Sequence, residues 1–173
     1  MHGYRNVTVA QVARAAGVDP MTVYRHFGTK HGLVLRLGDD PQTPHRLGQA
    51  PTATTRSGTS LLEAVDTVTS DWIRRAPAEL WDEAIRVTRL VANTPELRDL
   101  AWSNVTAWAT SCQPWMSGLQ PDLDPPQIEL ASRLAVSLLV AAGLSWAETA
   151  GDKEAALDAL DSALTTYRRV AGE

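Results

Sequence analysis

The sequence predicts an all-α protein in two parts, a small N-terminal helix-turn-helix head and a larger helical body. Two observations carry this. Apolar residues recur at three- and four-residue spacing behind helix-capping residues over most of the chain, and no segment shows the strict alternation of a strand. Residues 38–60 then interrupt the pattern with three prolines, three glycines and many Thr and Ser, which reads as a connection. The expected division is a head at 1–37, a connection at 38–59 and a body at 60–173. Partial helix near His45–Gln49 is expected within the connection.

The head is expected to hold three short helices over residues 8–37. Thr8 is the N-cap of the first, whose apolar face is Val12, Ala13 and Ala16. Gly17 supplies the positive φ that ends this helix and turns the chain. Val18 is expected to plug the corner. Asp19 caps the second helix, and Pro20 takes its first position, where a missing N–H costs nothing. Val23 and Phe27 are expected to point into a small core. Thr29 caps a third helix that begins at Lys30.

In the body, Ser60 caps a helix running to about Ala76, with Leu61, Leu62, Val65, Val68, Trp72 and Ile73 at helical spacing. A second covers 78–92, with Leu80, Ala84, Val87 and Val91. Thr94-Pro95-Glu96 starts a third, expected to run to about Cys112 and to kink or end near Pro114. A long helix follows at 126–149, stopped by Gly151. The last begins after the cap Asp152 and ends near Ala171.

A net charge of −4 hides a strong asymmetry. Residues 1–46 carry six basic and three acidic side chains, 6 − 3 = +3, so the rest of the chain carries −7. All four histidines also fall in the first 45 residues. A basic head on an acidic body fits a protein that meets phosphate at one end. No apolar stretch is expected to reach the roughly 18 residues that span a bilayer, and no signal peptide is read at the N-terminus. A cytoplasmic protein without membrane contact is expected. Cys112 is the sole cysteine, so neither an intrachain disulfide nor a cysteine zinc site can form. It reads as a small buried hydrophobe. No catalytic triad, metal cluster or phosphate-cradling glycine loop is read, so no enzyme, metal or cofactor is expected.

Two short helices joined by a tight glycine turn form the unit whose second helix enters the DNA major groove. That places Pro20, Met21, Thr22 and Arg25 near base edges. Tyr24, His26 and Lys30 are set to meet phosphates.

Gly3-Tyr4, Thr8-Val9, Val12-Ala13, Ala16-Gly17-Val18, Thr22-Val23-Tyr24, His26-Phe27 and Lys30 together resemble the DNA-binding signature of the TetR family of regulators. The resemblance implies that Thr8, Thr22, Tyr24, His26 and Lys30 contact phosphates and that positions 20, 21 and 25 read bases. It also implies a homodimer on a palindromic double-stranded operator, acting as a repressor relieved by a small-molecule effector. The body bears a looser resemblance to members similar to the mycofactocin regulator. One departure stands out. The family's first helix precedes the Gly3-Tyr4 pair, whereas this sequence begins at Met1. Without that helix, Val9, Val12, Val23, Phe27 and Leu33 are expected to be uncovered. The alternative function is then a dimeric ligand-binding module that does not bind DNA.

Six tryptophans against one phenylalanine point to an aromatic pocket in the body. Trp81, Trp102, Thr106, Trp108, Trp115 and Met116 are its expected lining, with Arg86 and Arg89 as further polar anchors. An apolar or aromatic ligand is expected. The 126–149 helix is apolar nearly all round, which predicts burial on two sides. Val136, Val140 and Leu144, with Leu160, Leu164 and Tyr167 of the last helix, are the expected dimer face.

Overall fold

The computed structural model describes residues 4–35, 60–75, 78–149 and 151–172. The connection, including the expected helix at His45–Gln49, lies outside the described residues, as do the side chains of Trp72 and Leu80. All regular structure among the described residues is helical. A 3-10 turn at Tyr4–Asn6 precedes α1 (Val9–Ala15), α2 (Pro20–Phe27) and α3 (Lys30–Leu35). The body holds α4 (Leu61–Arg75), α5 (Ala78–Ala92), α6 (Pro95–Ser103), α7 (Val105–Leu119), α8 (Pro125–Trp146) and α9 (Lys153–Ala171).

Side-chain caps set most helix starts. Thr8 and Gln11 close a capping box on α1, and Asp124 and Gln127 close another on α8. Ser60 and Glu63 bond reciprocally at the start of α4, at 2.9 and 3.3 Å. Asp152 Oδ1 accepts from Ala155 N at 2.8 Å to start α9. Thr94 sits at the N-cap of α6 but makes no side-chain cap bond; it is buried instead.

The expected break near Pro114 falls earlier, at Asn104. The Leu100 carbonyl there accepts both the Ser103 hydroxyl at 2.9 Å and the Asn104 N–H at 3.0 Å. Such local side-chain bonding competes with the helix ladder. Pro114 is instead carried inside α7. Its ring lies at an exposed position, while Met116, buried beyond it, ties the last turns of α7 to Val65, Ile128 and Ala131.

Helix α8 is the centre of the body, with α7 and α9 packed along it and α4, α5 and α6 also touching it. Its most apolar 18-residue window has a mean hydropathy of 1.6, enough to cross a bilayer by length and composition. The expectation that no stretch reaches that threshold is therefore corrected, because Ser137 and Gly143 dilute the run too little. The helix spends its apolar surface on its neighbours, burying Ile128, Ala131, Ala135, Leu138, Ala142 and Trp146.

This packing corrects half of the expected dimer face. Val136, Leu160 and Leu164 are 5%, 1% and 0% exposed within a single chain, so no second subunit can reach them. Leu160 and Leu164 belong to a core shared with Leu62, Ile73, Trp81 and Trp146, against which Tyr167 packs. Leu144 packs toward α3 and α6. Part of the apolar surface of α8 is thus consumed inside the chain, and 39% of its most apolar window is buried.

Candidate nucleic-acid interface and effector cavity

The head is small. Val9, Ala13 and Val23 are its buried core, with Leu33 packed on them. Gly17 adopts φ +69° and lets α2 cross α1; Asp19 Oδ1 caps α2 by accepting from Met21 N at 2.7 Å. Gly28, at φ +66°, ends α2 in a second positive-φ turn, and Thr29 Oγ1 accepts from Gly32 N at 3.0 Å to start α3. Two expectations fail here. Val9 and Val23 are covered by the head's own helices rather than exposed, whereas Phe27 is uncovered as that expectation has it. Val18 and Phe27, at 43% and 41% exposure, neither plug the corner nor enter the core, because Val23 and Leu33 already fill it.

Val23 anchors α2 and thereby sets what the helix presents. At about 100° per residue, Met21 and Arg25 fall opposite Val23, with Thr22 and Tyr24 flanking them. Exposure agrees: Met21 is 72% and Tyr24 47% exposed, Arg25 and His26 are exposed, and Pro20 and Thr22 are half-buried. The structure thus gathers these side chains along one short helix. Two expected phosphate contacts are engaged within the chain. The Thr8 hydroxyl works in the capping box, accepting from Gln11 N at 3.2 Å. The Lys30 ammonium donates to the Tyr4 carbonyl and sits 4.1 Å from the centre of the Tyr4 ring.

The head is fastened to the body through these residues. Tyr4, Val34 and Leu35 pack with Val91 of α5 and Leu97 and Ala101 of α6. Tyr4 also contacts the His31 ring at 6.0 Å, and Arg5 pairs with Glu96 at the start of α6. Burial, then the Glu96 charge, pushes the Tyr4 phenol up. The Glu96 carboxyl is held below its ordinary value, first by its own backbone N–H and then by Arg5.

A cavity of about 420 Å³ opens among α4, α5, α7, α8 and α9. Trp81 and Trp115 line it, together with Trp146, whose ring meets Trp81 edge-on at 5.3 Å. Thr69, Thr88, Ser111 and Cys112 are its hydroxyl and thiol residues, and none of the described lining residues is charged. Burial pushes the Cys112 thiol up. The other expected lining residues lie elsewhere. Trp102 is 44% exposed, and Trp108 packs toward Leu35 and Val91. Met116 is core, and Thr106 accepts from Arg133 on the surface at 3.0 Å. Trp102 misses because α6 ends before Asn104 and a new helix starts there. Arg86 is exposed, and Arg89 donates to the Ala147 and Thr149 carbonyls at the end of α8. Val136 and Leu160, expected at a dimer face, line the cavity instead. Thr88 and Gly143 gave no aromatic or apolar signal. Cys112 and Trp115 are three residues apart and so share one face of α7, a spacing the sequence shows.

Residues 1–37 match the model of the family described as bacterial regulatory proteins, tetR family. No curated protein matches the chain. The matched segment includes the described head, from the Tyr4 turn through α3. The match and the geometry together mark the N-terminal segment as similar to the helix-turn-helix head of that family's regulators.

Proposed function

We propose that the chain is a homodimeric repressor that leaves a palindromic operator when a small apolar or aromatic molecule fills the body cavity. One observation carries this reading: α5 lies between the cavity and the head. Trp81, Ala84 and Thr88 of α5 line the cavity, while Val87, Leu90 and Val91 of the same helix pack with Val34 and Leu35 of α3. A ligand that displaces the first face moves the second, because close-packed interiors transmit displacement. For release, the ligand must bind better to the head spacing that does not fit the operator.

The cavity suits an uncharged ligand, since an ionised group would be buried there without a partner. Its volume lies within the ordinary range for small-molecule sites, roughly 300–1,000 Å³. The partner subunit is assigned to the outward stripe of α8, where Leu130 is 60% exposed and Leu134, Ser137 and Ala141 follow at helical spacing, half-buried. Val140 lies beside this stripe on α8, half-buried.

The test fills the cavity from within by Ala84→Phe. The variant is expected to remain folded and to behave in light scattering as a dimer, twice 18.7 kDa. It should alkylate more slowly at Cys112 and bind DNA at least tenfold more weakly. A folded variant with Cys112 shielded and DNA affinity unchanged contradicts the release mechanism. A mass of 18.7 kDa for the unaltered chain contradicts the dimer.

A further inference from the structure

The side chains that α2 turns outward form a short code. Met21 and Arg25 are four residues apart, so they are separated by about 40° around the helix and about 6 Å along it. Both face away from Val23, which is 6% exposed and anchors the helix in the head. Met21, at 72% exposure, leaves most of an apolar side chain in water. Burial in a partner's groove would remove that cost.

Several polar groups close by are already engaged within the chain. The Gln11 side-chain oxygen accepts from Thr8 N at 2.7 Å, and Asp19 Oδ1 accepts from Met21 N at 2.7 Å. Arg5 is paired with Glu96, and Lys30 donates to the Tyr4 carbonyl. Helix α2 contains no Asn or Gln, the side chains that bond adenine in bidentate fashion. On the stripe opposite Val23 it carries one guanidinium, which matches the O6 and N7 acceptors of guanine, and one apolar side chain, which matches the thymine methyl.

We propose that α2 reads a guanine with Arg25 and a thymine methyl with Met21. The two bases lie about two base-pair steps apart, from a rise of about 3.4 Å per step. This rests on the DNA-binding reading above and names the sequence class that the head selects. Thr22 and Tyr24 flank the pair and reach the sugar-phosphate walls of the groove.

The experiment selects bound duplexes from a randomised library with the full chain, then remakes the selected site with deoxyuridine in place of thymidine. Each lost methyl contact is expected to weaken binding about fourfold. The Met21→Ala variant is expected to bind the two duplexes equally. Arg25→Ala is expected to lose about 5- to 150-fold of the preference for guanine. Both side chains are exposed, so melting temperatures should match the unaltered chain and separate readout from folding. Selected binding that ignores the deoxyuridine exchange, or that keeps its guanine preference without Arg25, overturns the readout and leaves DNA binding standing. Failure to bind any duplex overturns both.

Discussion

Gly32 marks how tightly α3 is set against the end of α2. A Cβ built there would lie 2.1 Å from the Phe27 carbonyl oxygen, and a backbone atom at a helix end cannot step aside cheaply. Gly118 in α7 has no atom within 4 Å of the corresponding point. The two glycines should therefore respond in opposite directions to alanine. Gly32→Ala is expected to lower the melting temperature of the chain and weaken DNA binding with it. Gly118→Ala is expected to stabilise by about 0.5 kcal/mol, because an exposed helical glycine carries mainly an entropic penalty. Thermal melting of both variants checks this. Equal effects would show that the α2–α3 junction has more freedom than the structure gives it. Residue-level reading of the sequence succeeds where one local rule acts alone. Gly17 at positive φ, Asp19 at the cap and Thr29 before α3 are all as their types require. It fails at Thr94, where burial replaces the cap bond, and at Phe27, whose fate depends on how much room Val23 and Leu33 leave.

At the scale of elements, helix starts are legible because capping is local chemistry. The sequence places the beginnings of α1, α2, α4 and α9 within a residue. The split between α6 and α7 is not legible, since Ser103 and Asn104 look no more disruptive than Pro114 until the Leu100 carbonyl is seen to be shared. Two helix starts also carry a pH signature. At α4, the Ser60 backbone N–H and hydroxyl hold the Glu63 carboxyl below its ordinary value of 4.5. At α6, the backbone and Arg5 do the same for Glu96. Both carboxyls bind protons more weakly when folded. Their stabilisation is thus complete above the unfolded value and drains away as pH falls through the lower folded values. Denaturant melts should show these two groups contributing nothing to pH dependence between 6 and 8 and a loss setting in below about 4.5. The double variant Glu63→Gln, Glu96→Gln is expected to flatten that acid limb. An unchanged limb would place the acid sensitivity elsewhere.

For the whole molecule, the all-helical class and the outward face of α2 were legible, and the cavity was not. The head is short, and its contacts are nearly local, so spacing and caps suffice to orient Met21 and Arg25 away from Val23. The cavity depends on five helices meeting, and helical periodicity says which face is apolar without saying which neighbour it meets. Trp81 and Trp115 therefore join Trp146 around a space that the sequence assigned partly to Trp102 and Trp108. Val136 and Leu160 are spent on the same space. The basic head and acidic body nevertheless predict where phosphate binds, and that is the most exposed claim of the account. It is tested by fluorescence anisotropy of the full chain on duplex DNA flanking its own gene, at about 50 and 200 mM salt. The account predicts tight binding at the lower salt that falls steeply at the higher, as counterions released from the phosphates compete. Absence of binding at the lower salt, by a chain shown to be folded, would contradict it and favour a ligand-binding module that does not touch DNA.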